Sequence, residues 1–175
     1  MGATPSDDTL LCLPALAHAT SRVGINIDGP YQQRGFEIVR GDANAMACFA
    51  DGSFDTVVCN ATLEHDPRFW LTLAEIRRVA RPGAVVVIGV PGFDRLPSDT
   101  RLRRLLALPG VPRWLRVPKP AFACSTLTLQ VHEYPGDYYR FSPQAVREVF
   151  CAGLEQVEVE TVLVPPRVIG SGIRE

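Results

Sequence analysis

Residues 41–65 read GDANAMACFADGSFDTVVCNATLEH, and residues 74–91 read AEIRRVARPGAVVVIGVP. Within the first stretch, Phe54–Cys59 is a short run containing β-branched residues, a pattern typical of a strand. Within the second, Ala84–Val90 is apolar on both faces, as a central parallel strand must be. Apolar residues recur at helical spacing over positions 69–80, between the two runs. Strand, helix and strand in this order predict a βαβ unit of a parallel sheet.

Further strand and helix patterns flank this unit on both sides. The sequence predicts strands at Thr9–Leu13, Val23–Asp28, Phe36–Arg40, Thr126–Val131, Glu155–Val164 and Arg167–Ile173, and short helices at Pro14–Ser21, Asp99–Leu108 and Ser142–Ala152. We therefore expect an α/β fold with one mostly parallel sheet that ends in an antiparallel hairpin. The length of 175 residues suits a single domain, 1–175, with an insertion or lid at about residues 93–138.

The composition is that of a globular domain, with 46% hydrophobic and 21% charged residues. The formal net charge of −1 provides no general field for nucleic acid, and no apolar run approaches the ~18–20 residues of a membrane span. The first ten residues lack the pattern of a secretory signal. Five irregularly spaced cysteines indicate reduced thiols in a cytoplasmic protein, and no metal-ligand spacing is visible among cysteines and histidines.

Two aspartates follow predicted strands, at the edge where parallel sheets bind ligands. Asp28 ends Val23–Asp28, and its two carboxylate oxygens can accept both hydroxyls of a ribose. Asp42 follows the next strand, and its carboxylate can accept an adenine amine while a neighbouring backbone N–H donates. The alternative for each is a turn residue, at Gly29-Pro30 and within Gly41–Ala43 respectively.

The segment Asn60–His65, NATLEH, follows the strand Phe54–Cys59. Asn60 can hold this loop by hydrogen bonds to the backbone, and Glu64 and His65 place an acid and an imidazole beside the expected pocket. His65 is a candidate general base because an imidazole titrates near neutral pH. Alternatively, Glu64 and His65 only organise the loop before the following helix.

An aromatic and basic segment, HEYPGDYYR, covers residues 132–140. Such a loop can line a substrate pocket, which makes His132, Tyr138, Tyr139 and Arg140 candidates for substrate binding. The alternative is a packed turn whose aromatic rings cover the edge of the sheet. Residues 95–119 carry seven basic residues interleaved with leucine and tryptophan. This pattern fits a lid over an anionic or lipid-like substrate, a partner-facing helix, or a lid with a solvated arginine face.

Together these strings resemble the class I S-adenosylmethionine-dependent methyltransferases, especially the type-11 subgroup. The resemblance runs from about Val23 to Gly92 and resumes at about His132; Gly41–Pro91 is its strongest part, and the loop YPGDYYRFSP at residues 134–143 is also similar. It implies a seven-stranded Rossmann-like sheet with an antiparallel last strand. It also implies in-line transfer of the sulfonium methyl of S-adenosylmethionine to a small-molecule or lipid-like acceptor.

The resemblance implies roles for particular residues. Asp28 corresponds to the acid that holds the cofactor ribose, and Asp42 with Ala43 to the pair that contacts adenine. Asn60 and Ala61 correspond to the loop beside the methionine moiety and the transferred methyl.

The chain departs from the family at its first strand, which normally runs into a Gly-rich GxGxG loop. Here Gly2 is the only glycine before Val23, and residues 11–20 read LCLPALAHAT, so the fold is expected to be N-terminally shortened. Three explanations stay open: a shortened methyltransferase that still binds cofactor, a non-catalytic interaction or regulatory module, or a fold completed by a second copy or a partner chain. A nicotinamide-dependent enzyme would need a GxGxxG loop, and a nucleic-acid methyltransferase would need a Pro-Pro-Tyr-type motif after the fourth strand. The sequence has neither motif at these places, so both functions are disfavoured.

Overall fold

The computed structural model describes residues 1–6, 9–33, 35–95, 126–132, 136–163 and 165–175. Within these residues the strands form a three-stranded sheet, a four-stranded sheet and one separate pair. The first sheet contains β1 (Val23–Asn26), β2 (Tyr31–Gln33) and β3 (Phe36–Arg40), the second contains β4 (Phe54–Asn60), β5 (Ala80–Pro91), β8 (Leu154–Leu163) and β9 (Pro166–Arg174), and the pair is β6 (Phe93–Arg95) with β7 (Thr126–Thr128).

The four-stranded sheet has the order β4-β5-β9-β8. β4 runs parallel to β5, with Val58 opposite Val87, whereas β9 is antiparallel to both β5 and β8. Val86, Ile88 and Val90 are buried on one face of β5, whereas Val85 on the other face is 43% exposed, so the expectation of a strand covered on both faces is not met along its whole length. The predicted C-terminal hairpin is therefore confirmed as β8 and β9.

The three-stranded sheet contains a strand that the sequence pattern did not predict. β1 runs parallel to β3, and β2 lies antiparallel on the other side of β3. β2 consists of the residues YQQ, which carry no apolar alternation that could mark them as a strand. β1 ends at Asn26 rather than Asp28, because the Asn26 side chain accepts a hydrogen bond from the backbone of Asp28 at 3.2 Å and closes a turn there.

The N-terminal strand and helix predictions were wrong. Thr9–Leu13, predicted as a strand, contains a 3₁₀ turn at Leu10–Cys12, and the predicted helix Pro14–Ser21 is reduced to a 3₁₀ turn at Pro14–Leu16. The Leu13 N–H donates to the Leu10 carbonyl at 3.1 Å, and Pro14 has no N–H to offer a sheet.

The sheet is consequently divided between β1 and β4, which corrects the expectation of one continuous parallel sheet. Two hydrogen bonds from the N-terminal segment span the division. The Met1 amino group donates to the Val58 carbonyl at 2.8 Å, and the Ala3 N–H donates to the Ile25 carbonyl at 3.4 Å. Residues 1–3 thus join the two sheets where no strand lies between them in the described chain.

Helix α1 (Phe69–Val79) packs against the four-stranded sheet through its apolar face. Leu73, Ile76 and Val79 are buried in the main core, and burial of each such side chain stabilises the fold by about 1.5–3 kcal/mol. Asp66 lies before the helix, where its carboxylate accepts hydrogen bonds from the Arg68 N–H at 2.8 Å and from the hydroxyl of Thr72 in the first turn.

Helix α2 begins as predicted at Ser142-Pro143, where the Ser142 hydroxyl accepts a hydrogen bond from the Ala145 N–H at 3.1 Å. One α-turn, Pro143–Ala145, continues as a π-helical turn, Val146–Phe150. The Arg77 guanidinium of α1 donates to the carbonyl of Ala152, just beyond this turn, at 2.9 Å. This contact fixes the end of α2 against α1.

Most of the predicted lid at about residues 93–138, including the helix Asp99–Leu108, lies outside the described residues. The strand predicted at Thr126–Val131 is shorter, as β7. In the described part of the chain, no helix has both the length and the apolar character needed to cross a membrane.

Candidate functional site

A cavity of about 300 Å³ lies at the division of the sheet. Among the residues that line it are Met1–Thr4, Val23 and Gly24 of β1, Phe54, Thr56 and Val58 of β4, and Asn60 and Ala61 after them. The Met1 amino group is enclosed here, and burial lowers its pKa from the ordinary value for a terminal amine. The cavity therefore occupies the place of a strand between β1 and β4, with residues 1–4 forming part of its wall.

Asp28 lies in the exposed turn after β1. The Asn26 side chain organises this turn, because its oxygen accepts from the Asp28 N–H and its nitrogen donates to the Ala3 carbonyl at 2.7 Å. The turn is thereby connected to the N-terminal segment, and the carboxylate of Asp28 stands at the carboxyl end of a parallel strand. It does not line the cavity.

Asp42 occupies the equivalent position after β3, in an exposed turn. Its carboxylate accepts a hydrogen bond from the Asn44 N–H at 2.8 Å, while the Asn44 side chain donates to Asp66 at 2.6 Å and to Thr72 at 2.9 Å. Ala43, between them, is half-buried. The turn that carries Asp42 and Ala43 is thus held against the start of α1.

Asn60 ends β4, where it pairs with Gly89 of the parallel strand β5, and Ala61 follows it. The Asn60 side-chain oxygen accepts a hydrogen bond from the Arg167 guanidinium at 3.0 Å, and the Ala61 N–H donates to the Gly89 carbonyl at 3.0 Å. Ala61 has φ +50°, a left-handed conformation that costs a non-glycine residue about 1–2 kcal/mol. Such strain persists only where the surrounding contacts hold it, and it is typical of ligand-binding turns.

Glu64, His65 and His132 form one cluster below this loop. The Nε2 atoms of the two histidines lie 3.1 Å apart, and the Glu64 Oε1 lies 3.8 Å from the His65 Nε2. Glu64 is buried, and burial raises the pKa of its carboxyl group above the ordinary range. The Nδ1 of His65 contacts the carbonyl of Gly136.

The remaining predicted substrate residues are held by contacts within the protein. The Tyr139 hydroxyl donates to the Pro67 carbonyl at 3.1 Å, and its ring packs against Phe69 with centroids 5.2 Å apart. Arg140 pairs with Asp137 and holds the pKa of that carboxyl well below its usual range. Tyr138 is exposed, and its backbone N–H donates to the Glu64 carbonyl at 2.8 Å.

The structure therefore brings some of the predicted site residues together and leaves others apart. His65 meets His132, and Asn60 and Ala61 share the cavity wall with the N-terminal residues. Asp28 and Asp42 each follow a parallel strand of the smaller sheet, as the sequence predicted. Their assigned roles in ribose and adenine binding stay predictions.

Part of the sequence is similar to a known protein family. Residues 13–88, from the 3₁₀ turns to β5, match the family model described as a methyltransferase domain. The matched region contains the strand-end residues Asp28, Asp42 and Asn60 together with His65. Similarity to this methyltransferase family is thus shown over residues 13–88, which is less than half of the 175-residue chain.

Solved methyltransferase structures are similar to this chain in fold. They include Haemonchus contortus phosphoethanolamine N-methyltransferase 2 (TM-score 0.51, 12% identity, covering 79% of this chain and 37% of that one). They also include Burkholderia thailandensis 1,6-didemethyltoxoflavin-N1-methyltransferase (TM-score 0.54, 13% identity, covering 87% of this chain and 60% of that one). A third is a complex between the Haloferax volcanii Trm112 methyltransferase activator and a methyltransferase (TM-score 0.55, 16% identity, covering 91% of this chain and 75% of that one). The chain thus spans little more than a third of the first structure's length. The sequence matches no curated protein.

Two contributors to the candidate site were missed by sequence reasoning. The N-terminal segment lines the cavity, and the signal for it was the small residue Gly2, where a side chain would stand 2.5 Å from the Thr62 hydroxyl. Arg167, which holds Asn60, lies 107 residues further along the chain. It is brought there by the pairing of β9 with β5, where Arg167 stands opposite Pro91.

Proposed function

We propose that the chain transfers a methyl group from S-adenosylmethionine to a small-molecule or lipid-like acceptor in the cytoplasm. The observation that carries the proposal is the placement of Asp28, Asp42 and Asn60 after the parallel strands β1, β3 and β4. Ligands of open α/β folds bind outside the carboxyl ends of such strands. The family match covers all three residues.

The residues present fit an adenosine-bearing cofactor at these strand ends. Asp28 is exposed and offers two acceptor oxygens to a ribose diol, and the turn at Asp42 and Ala43 offers an acceptor beside a backbone N–H for adenine. The left-handed backbone at Ala61 allows the loop after β4 to approach a ligand closely. When bound, the cofactor supplies a methyl group on a sulfonium leaving group.

The chain's own part in the reaction is to position the acceptor and to hold its proton. His65 uses Nδ1 toward the Gly136 carbonyl, which leaves Nε2 as the nitrogen that can accept a proton from an acceptor group. Tyr138 and His132 are both exposed, and they would contact the acceptor. In this proposal His65 is the catalytic residue, and His132 and Tyr138 bind the substrate.

Calorimetric titration of the full chain with S-adenosylhomocysteine tests the proposal. We expect saturable binding that Asp28→Ala weakens about tenfold or more, the effect of removing a hydrogen bond to a charged group. Asp42→Ala should act in the same direction. Glu160→Ala is the matched control, because this exposed carboxylate lies on β8 and does not line the cavity. Absence of binding at millimolar ligand contradicts the proposal for this chain.

The division of the sheet favours a second candidate function, a methyltransferase-like module completed by another chain. Between β1 and β4 the described residues provide two backbone hydrogen bonds in place of a strand ladder. An extended segment from a second copy or a partner would add the missing ladder.

Light scattering combined with the same titration separates the two candidates. If the chain completes itself as an oligomer, the molar mass doubles and heat of binding appears only at concentrations where the larger species forms. If it needs a different partner, the purified chain stays monomeric and gives no heat. A monomer that binds S-adenosylhomocysteine contradicts this second candidate.

A further inference from the structure

The cluster of Glu64, His65 and His132 has the composition and dimensions of a metal site. One ligand atom from each side chain lies within 4.8 Å of the other two. Two imidazoles and one carboxylate are the donors that divalent transition metals such as Zn²⁺ prefer in proteins. The sequence showed no metal-ligand spacing because His65 and His132 are 67 residues apart and meet only in the fold.

The two histidines face each other through the nitrogens that would bind a metal. Their Nε2 atoms are 3.1 Å apart. Two nitrogens bound to one zinc ion at about 2.0–2.1 Å each, in neighbouring positions, stand roughly 3 Å apart. The observed separation therefore needs little adjustment to accept an ion.

The other ring nitrogens point at hydrogen-bond acceptors. The His65 Nδ1 contacts the Gly136 carbonyl, and the His132 Nδ1 lies 3.3 Å from the Asp137 carboxylate. A carbonyl or an ionised carboxylate can only accept, so each Nδ1 carries the ring proton. In the neutral rings both Nε2 atoms then present lone pairs to each other, an arrangement that a shared cation satisfies.

Glu64 supplies an independent observation. Its side chain is 1% exposed, and among the described residues its Oε2 has no hydrogen-bond partner. Leaving a buried carboxylate oxygen unpaired is costly, whereas a bound cation would supply both a ligand contact and compensating charge. The other carboxylate oxygen of Glu64, Oε1, lies 3.8 Å from the His65 Nε2, the nitrogen that would bind the ion.

The surroundings hold the His132 ligand in place. Asp137 faces the His132 Nδ1, accepts a hydrogen bond from the His132 backbone at 2.8 Å and is itself fixed by Arg140. Such carboxylate–histidine–metal arrangements orient the ring and raise its basicity. Three protein ligands leave at least one position of a tetrahedral ion open.

We propose that Glu64, His65 and His132 bind one divalent transition-metal ion of the zinc class, with a position open to water or an oxygen-bearing ligand. This binding does not depend on methyl transfer or on S-adenosylmethionine. Failure of metal binding would leave the proposed cofactor binding standing, and failure of cofactor binding would leave the metal site standing. A bound ion would occupy the His65 Nε2, so the proposed proton transfer to that nitrogen applies to the metal-free chain.

Titration of the full, chelator-treated chain with Co²⁺ tests the proposal, because Co²⁺ reports its ligand geometry in its visible absorption. We expect one equivalent to bind, to be displaced by Zn²⁺, and to raise Tm. His132→Ala should weaken binding at least a hundredfold, and Asp137→Asn about 10–100-fold through loss of the ring's support. His18→Ala is the control, because His18 is exposed and outside the cluster.

Circular dichroism of each variant establishes that it folds before its affinity is compared. Glu64→Gln keeps the shape of the side chain but removes its charge, and we expect it to weaken binding as well. Absence of binding, or equal affinity in wild type and His132→Ala, overturns the proposal. Sulfur-to-cobalt charge-transfer absorption retained in His132→Ala also overturns it, since the ion would then be bound by cysteines.

Discussion

Gly89→Ala perturbs the contact between β4 and β5 at the pair Asn60 and Gly89, just before the loop that begins at Ala61. A Cβ at position 89 would stand 2.4 Å from the Asn60 side-chain oxygen, 3.3 Å from its Cγ and 3.6 Å from its Cβ. The first distance is far inside van der Waals contact, so the carboxamide must swing away and give up its hydrogen bond to Arg167. Overpacking costs about 1–3 kcal/mol and the lost hydrogen bond about 1 kcal/mol. We therefore expect Gly89→Ala to lower the free energy of unfolding by about 2–4 kcal/mol.

A double-mutant cycle with Asn60→Ala isolates the cause. Truncating Asn60 removes the two nearest obstructing atoms and leaves only its Cβ, at the ordinary contact distance of 3.6 Å. In that background Gly89→Ala should cost less than about 1 kcal/mol, which gives a coupling energy of about 1–3 kcal/mol. Urea unfolding followed by circular dichroism supplies the four free energies. An equal cost of Gly89→Ala in both backgrounds would refute the steric explanation.

Two further predictions concern local backbone strain and pH dependence. Ala61→Gly should stabilise the fold by about 1 kcal/mol by relieving the left-handed strain, whereas Ala145→Gly, at a right-handed helical position, should cost about 0.5–1 kcal/mol. Thermal unfolding measures both, and a loss of stability in Ala61→Gly would contradict the strain argument. The hydrogen bond from Arg78 holds the pKa of Glu75 below its ordinary 4.5, so its contribution is complete above that pH and is lost as pH falls through the folded-state value. Glu75→Gln should therefore be less stable than wild type at pH 7 and approach wild-type stability as the pH falls below the folded-state pKa of Glu75; a difference independent of pH, measured by urea unfolding, would contradict this.

The βαβ unit from β4 to β5 could be predicted because its signals are local. The apolar run Ala84–Val90 lies within β5, and the helical spacing over positions 69–80 corresponds to α1. Pro82 and Gly83, residue types that commonly end helices, lie within the long strand β5, because the chain leaves the helix at Val79 and pairs with β4 from Ala80 onward. Periodicity identified the elements, and tertiary pairing determined where one ended and the next began.

The N-terminal region could not be predicted in the same way. Thr9–Leu13 is a five-residue apolar run, which fits a strand or a turn equally well without knowledge of its neighbours. Leu10, Leu11 and Cys12 are not buried in the structure, so the run does not obtain the two-sided packing that a central strand requires. The turn form instead satisfies its backbone locally.

Candidate site residues at strand ends could be named from the sequence, whereas contacts between distant segments of the chain could not. Asp28, Asp42 and Asn60 follow from the rule that parallel strands end at one edge. The contacts of His65 with His132 and of Asn60 with Arg167 join residues 67 and 107 positions apart. A single sequence does not show that such residues are in contact, because their contact depends on the topology of the fold.

The loop Asn60–His65 connects the two regions of interest and separates their functions. Its first residues line the cavity at the division of the sheet, and its last residues face His132. Between them Leu63 is fully buried, and the Thr62 hydroxyl contacts the carbonyl oxygens of Asn60 and Met1. Because these contacts fix the middle of the loop, a ligand at one end has no loose segment to displace at the other. Cofactor binding near Asn60 and metal binding at His65 are therefore expected to be largely independent events, although this one loop contributes residues to both sites.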